Sequence, residues 1–456
     1  MKINKHIFIT LMIFLAILIS VLISCQIIDR LVLNKIEESD EGIKVDEQNE
    51  SDNSAEESVE IKEVIKENEI IYFEIGIDEN STHFEHRVAN IYSISTDDTE
   101  RKLIYSDIAD KYGLTSVYSI SPDKTKILCG KSDDARGVYS ALCYIDIGTG
   151  NLINLIEFDF SEGEEMLESI YREPIWSNSS DKIAYETITN PYKDSFGDGG
   201  IYVIDINTGI KEKINLDLEG QLLENDVFLY PVLFSSDDTK IIAAAHPYYP
   251  KIEQGEVLDY YTLNESLNLI DIESGQLEEI LNINQFKGVE AESISSFDNF
   301  DIFKDSGLTI FQVLGDFEED GDIWAFDHKG GKLTKITNDS SLREQQPSVL
   351  DLSGLDKKVT YVGVSRYGTI AEHNKSGNIY ILNLNNLENI DTLNCQIEGL
   401  APVFSPDGEF LALLSLDYDE NFNFIENYQI KTYEIESNEM KNILSTSNII
   451  DLIGWL

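Results

Sequence analysis

Basic residues are scarce in this 456-residue sequence: 34 lysines and arginines stand against 84 aspartates and glutamates, a formal charge of −50 at pH 7. A phosphate backbone demands a basic patch, so nucleic acid is excluded as a partner. Anionic lipid surfaces are repelled for the same reason. Cysteines number four, and no cysteine or histidine pattern has the spacing of a metal site. The histidines beyond the amino-terminal segment, His83, His86, His246, His328 and His373, form no His-x-x-x-His or Glu-x-x-His pattern. A serine-hydrolase elbow, Gly-x-Ser-x-Gly, is also absent. The nearest string, Gly363-Val364-Ser365-Arg366-Tyr367-Gly368, has one residue too many. These absences leave catalysis without a motif, and the sequence reads as a protein that is not an enzyme.

What is present starts at the amino terminus. Lys2 and Lys5 precede an apolar run over 7–23, which ends in Leu22-Ile23-Ser24-Cys25. A basic segment, an apolar segment and a small residue before the cut describe a secretory signal. The tetrad resembles the lipobox of bacterial lipoproteins, and that resemblance implies that residues 1–24 are removed and that Cys25 carries a lipid. The rival is an uncleaved anchor, since the run approaches the roughly 18 residues that a bilayer needs. Either way, everything after Cys25 is expected outside the cytoplasm. Over 37–69 the sequence is acidic and nearly free of aromatics, so it buries too little surface to offset ordering entropy. Residues 25–69 are therefore expected to be a tether and 70–456 a folded domain.

That domain repeats a phrase. Ser121-Pro122-Asp123-Lys124, Ser177-Asn178-Ser179-Ser180, Ser235-Ser236-Asp237-Asp238 and Ser405-Pro406-Asp407-Gly408 recur at spacings read as a solenoid or propeller period, each leading into an apolar strand. Proline presets φ, aspartate bonds back to nearby amides, and glycine supplies the positive φ that reverses the strand. A second signature, typified by Ile201-Tyr202-Val203-Ile204-Asp205 and Ile323-Trp324-Ala325-Phe326-Asp327, brings the count of units to seven. The fold class is therefore all-β: a seven-bladed β-propeller of four-stranded antiparallel blades. The first unit lacks a first strand, and 449–456 is a spare one in which Trp455 takes the place that Trp176 holds. The C-terminal strand is expected to complete the first blade and close the ring. These phrases resemble the repeats of TolB-like propellers, found also in prolyl-oligopeptidase-type enzymes. The resemblance implies protein partners and non-covalent recognition.

Blade topology places the short turns on one face and the longer loops, 131–140, 187–200, 246–266, 315–322, 365–378 and 416–427, on the other. Binding residues concentrate in long loops on a rigid scaffold. The aromatic candidates there are Tyr192, Phe196, Tyr248, Tyr249, Tyr260, Tyr261, Tyr367 and Tyr418. They would either stack on a sugar or peptide or pack down onto their own loops. Asp194 and Asp198, and Asp316, Glu318, Asp320 and Asp322, offer calcium hard oxygen ligands on Gly-containing bends, without EF-hand spacing. No other cofactor is expected. Cys129 and Cys143 fall on neighbouring strands of one hairpin, where a disulfide has room, although a small buried hydrophobe is the plainer reading of both and of Cys395. The expected function is a monomeric, lipid-anchored scaffold that binds an envelope protein or peptide. The alternative is an extracytoplasmic hydrolase or carbohydrate-binding propeller that uses the long loops.

Overall fold

The computed structural model describes residues 68–77, 87–96, 100–109, 114–132, 139–157, 168–170, 172–189, 200–216, 227–247, 250–253, 256–260, 266–282, 294–303, 307–315, 322–337, 342–350, 357–365, 377–384, 390–418 and 424–456. All lie in one compact unit, Glu60–Leu456. Among them the chain forms thirty strands and no helix.

Five sheets carry a four-strand antiparallel path. The first joins Arg101–Ala109, Arg87–Ser95 and Glu69–Ile77 to Ile449–Trp455 from the far end of the chain. The second runs Leu114–Ile120, Lys126–Ser132, Tyr139–Asp146 and Leu152–Glu157. In the third, Lys182–Thr189, Gly200–Asp205 and Lys211–Lys213 follow the short pieces Glu168–Ser169 and Ile175–Trp176. The fourth takes Val227–Phe234, Lys240–Pro247, Ser266–Asp271 and Leu277–Asn282, and the fifth Ile294–Phe303, Leu308–Gly315, Asp322–Asp327 and Lys332–Lys335. The remaining blade strands, from Leu342–Leu350 to Glu439–Thr446, form a single sheet of seven. Seven separate four-stranded blades are therefore not what the hydrogen bonding draws. The cause is the 14-residue strand Asp391–Phe404, whose first part pairs with Gly377–Asn383 and whose last part pairs with Phe410–Tyr418, with no turn between.

A series of strands touch one another around the molecule, all at sheet edges except Asp391–Phe404. Ile175–Trp176 meets Val227–Phe234, followed in turn by Ile294–Phe303, Leu342–Leu350 and Asp391–Phe404, which meets Ile449–Trp455, which meets Leu114–Ile120. These strands are the inner wall of a propeller. Nearly all carry a β-bulge, at Val117/Ser119, Pro231/Leu233, Asp298/Asp301, Gln345/Ser348 and Leu400/Val403, with another where Ile71/Tyr72 oppose Gly454 and Leu452. Pro231, Pro347 and Pro402 sit in these bulges, where a residue without an amide proton costs no ladder bond.

Apolar side chains fill the spaces between sheets. Ile71 and Ile91 of the first sheet pack with Ile127, Cys129 and Cys143 of the second. Within the seven-stranded sheet, Val362 and Ile379 pack against Leu411 and Leu413, while Ala412 and Ile430 on the other side pack with Tyr72, Ile94 and Trp455 of the first sheet. Each such side chain taken fully from water contributes about 1.5–3 kcal/mol.

The repeated phrase is a self-bonded turn. Ser121 Oγ donates to Asp123 Oδ1 at 2.6 Å and accepts the Lys126 amide at 3.0 Å, and the same Oδ1 accepts the Thr125 hydroxyl at 2.8 Å. Ser235 and Asp237 repeat this with Thr239, and Ser405 and Asp407 repeat it with the Glu409 amide at 3.0 Å in place of a hydroxyl. The left-handed position is filled by glycine only at Gly408 (φ 72°); Lys124, Ser180 and Asp238 hold it elsewhere at 59°, 63° and 56°.

Candidate functional site

The two faces of the ring are built differently. On the short-turn face, turns of adjacent blades clasp one another. Ser180 Oγ accepts the Asp123 amide at 2.8 Å. One blade on, Asp238 Oδ1 accepts the Asn178 amide and Nδ2, both at 2.7 Å, and Oδ2 accepts the Ser179 amide at 2.8 Å. In both cases the left-handed residue of one turn reaches the turn before it. Asn68 and Leu456 complete the pattern: Asn68, at φ 73°, donates its amide N–H to the Leu456 carbonyl and its Nδ2 to Asp407, both at 3.2 Å. A turn broken between residues 456 and 68 thus keeps its clasp to the preceding blade. The hydrogen bonds inside the first of these turns also hold its carboxyl down. Burial pushes Asp123 up, but bonds from Ser121 and Thr125 and the Lys126 ammonium outweigh it and bring it to about 2. At these three junctions the short turns are taken up by assembly.

The inner wall carries the polar groups that the sequence reading missed. Arg172 places its guanidinium 5.1 Å from the centre of the Tyr230 ring on the next inner strand, and its amide bonds the carboxylate of buried Glu186. Further round, Asp301 Oδ2 accepts the Val349 amide at 2.8 Å, Gln346 Oε1 accepts the Ala401 amide at 2.9 Å, and Asn299 Nδ2 donates to buried Gln312 at 2.7 Å. Asn299, Gln346 and Ala401 all have positive φ, at 50°, 53° and 46°. The bulges therefore turn side chains toward the neighbouring inner strand. Asp451, on the same wall, is reached by solvent yet hemmed in by the ring, and that desolvation raises its carboxyl above the usual range against a backbone bond from Leu452. The signal for this wall was in the sequence: Pro174, Pro231, Pro347 and Pro402 each stand three or four residues before a phrase or its degenerate copy.

The predicted site residues fall mostly elsewhere. Cys25, Tyr192, Asp194, Phe196, Asp198, Tyr248, Tyr249, Tyr261, Asp316, Glu318, Asp320 and Tyr367 lie outside the described residues. Tyr260 ends a two-stranded hairpin, Pro250–Glu253 with Glu256–Tyr260, paired across from Pro250. Tyr418 ends Phe410–Tyr418, opposite Phe424. Both positions are on the long-loop side. The loops there are shorter than expected, because Lys182–Thr189, Lys240–Pro247, Phe410–Tyr418 and Phe424–Glu434 extend into them. Asp322 is not a free oxygen ligand: it is buried, and its Oδ2 meets Lys335 Nζ at 2.5 Å. Among the described residues no group of three or more His, Cys, Asp or Glu is placed to hold a metal.

No family model and no curated protein sequence matches the chain. Solved structures do. A puromycin hydrolase is similar at a TM-score of 0.52 and 10% identity, over 83% of this chain and 53% of that one. A prolyl endopeptidase is similar at a TM-score of 0.50 and 12% identity, over 84% and 50%. This chain thus spans about half the length of either enzyme. A TolB from Agrobacterium tumefaciens is also similar, at a TM-score of 0.39 and 12% identity, over 84% and 91%. At such identities the likeness shows the fold alone. The expectation of a non-catalytic scaffold is nonetheless corrected on one point: the puromycin hydrolase and the prolyl endopeptidase that share this fold are enzymes. In its fold the chain is an all-β propeller built of four-stranded antiparallel sheets.

Proposed function

We propose that this chain works in hydrolysis, as a propeller that admits and orients a peptide on its long-loop face outside the cytoplasm. The observation that carries this reading is the division of the ring: turns on one face are consumed by clasps between blades, as at Asp238 and Asn68, which leaves the other face to recognition. The peptide as substrate class is taken from the prolyl endopeptidase and the puromycin hydrolase. Tyr248, Tyr249, Tyr260, Tyr261, Tyr192, Phe196, Tyr367 and Tyr418 are the proposed contact residues, with aromatic faces suited to proline rings and peptide planes. Attachment to the membrane is through lipid on Cys25, after the Leu22-Ile23-Ser24 sequence.

The ring proposed for this function has seven blades. In that count the seven-stranded sheet is two blades that share the strand Asp391–Phe404. Its support is the apolar packing: Val362 and Ile379 lie face to face with Leu411 and Leu413, which strands lying in one continuous sheet could not do. The test of function is turnover of a panel of fluorogenic peptides, proline-containing ones included, and of oligosaccharides by the purified chain. Peptide cleavage is the expected result. Turnover of oligosaccharides alone, or of neither class, overturns the reading.

A further inference from the structure

The second sheet holds two thiols that the proposed function does not use. Cys129 on Lys126–Ser132 and Cys143 on Tyr139–Asp146 are direct cross-strand partners, both fully buried, with their sulfurs 3.1 Å apart. Their register is the hydrogen-bonded class: the Ile147 amide donates to the Thr125 carbonyl, and such pairs recur at every second position up to Cys129 and Cys143. Residues so paired have Cα atoms about 5.5 Å apart, inside the span of a disulfide. Each Sγ also lies 3.4 Å from the other residue's carbonyl oxygen, so both side chains turn inward across the ladder. Around them are Ile71, Ile91, Ile127 and Leu456, the last residue of the closing strand's segment. Tyr105 packs against this cluster and the charges of Lys131 and Asp107 reach Cys129, but among the described residues no group of three or more His, Cys, Asp or Glu is placed to hold a metal, so the second sulfur is the reaction partner that the geometry offers.

We propose that Cys129 and Cys143 are a disulfide site, oxidised as the chain folds and then sealed in the core between the second blade and the blade that closes the ring. The oxidant is a disulfide, either of an oxidoreductase or of a small thiol. A thiolate from Cys129 attacks one sulfur of that donor, and the donor's other sulfur leaves as a thiol. The Cys143 thiolate then attacks the Cys129 sulfur, the mixed disulfide breaks, and the second donor thiol leaves. Two protein thiols lose two protons and two electrons, and one donor disulfide is reduced to two thiols. The bond must form before the strands pack, because burial raises the Cys129 thiol far from its reactive form and leaves no path for the donor. Cys395 takes no part: it lies in a different core, with Val362 and Leu411.

The test is refolding of the purified chain in a buffer with oxidised and reduced glutathione, followed by alkylation in denaturant without reductant and peptide mass mapping. The expected product links the peptides of Cys129 and Cys143, two hydrogens lighter, with Cys395 alkylated. The folded product should keep this bond in dithiothreitol and lose it once guanidinium is added, and its Tm should exceed that of the reduced chain by a few degrees. A C129A/C143A variant, small enough for the site, should melt like the reduced wild type whether or not oxidant is present. Alkylation of both Cys129 and Cys143 after refolding overturns the proposal, as does any linkage to Cys395. Because no peptide turnover is read, the result is independent of the proposed function.

Discussion

Asp451 and Asp238 show opposite uses of a carboxylate. Desolvation on the inner wall raises Asp451, so its charged form is the costly one. A folded-state value above the unfolded one, near 3.9, gives a contribution that is present in full below that pH and lost as pH rises through the folded value. D451N should therefore raise the Tm at pH 7 and leave it unchanged below about pH 4; thermal melts across that range check it, and a lower Tm at neutral pH would contradict it. Asp238 instead spends both oxygens on the amides of Asn178 and Ser179. D238N tolerates the same positive φ but turns an amide donor toward one of these N–H groups, and it should cost about 1–3 kcal/mol in denaturant melts. The left-handed position itself was legible in the sequence only at Gly408. At Lys124, Ser180 and Asp238 the turn's own hydrogen bond, from each residue's amide to the carbonyl of the serine three before it, holds a conformation that the residue type does not advertise.

Among elements, the closing strand carries the most consequence. Ile449–Trp455 pairs with Glu69–Ile77, and Trp455, nearly buried, donates Nε1–H to the Val403 carbonyl at 3.0 Å. W455A should cost about 3–5 kcal/mol through lost packing and an orphaned carbonyl. Removal of residues 449–456 should lower the Tm of the whole propeller in calorimetry; an unchanged melt would mean that the ring does not need this strand. This closure could be read from the sequence because a spare apolar strand with Trp455 matched a missing one. Two other elements could not. The strand Asp391–Phe404 changes partner from Gly377–Asn383 to Phe410–Tyr418 without a turn to mark it, and Gly399 at that point is kept free of a side chain by Leu413, whose Cδ1 lies 2.4 Å from where a Cβ would stand. The hairpin Pro250–Glu253 with Glu256–Tyr260 was hidden inside a stretch read as loop, since its strands are too short to show period-two alternation.

For the molecule as a whole, the repeats specify the scaffold because every blade solves the same packing problem, and they leave the ligand unspecified because no repeat carries it. The sequence pointed to the long-loop face through its aromatics and to the inner wall only through its prolines, while the contacts that Arg172, Asp301 and Gln346 each make to a neighbouring inner strand had no signal of their own. The central claim is that one face assembles the ring and the other acts on a peptide. It is tested most directly by one comparison, peptide turnover and melting temperature measured side by side on the wild type, Y248A/Y249A and D238N. The account predicts that the tyrosine variant loses turnover several-fold at an unchanged Tm, while D238N melts lower and keeps its KM. Loss of turnover in D238N with none in Y248A/Y249A, at a temperature where both are folded, would contradict it.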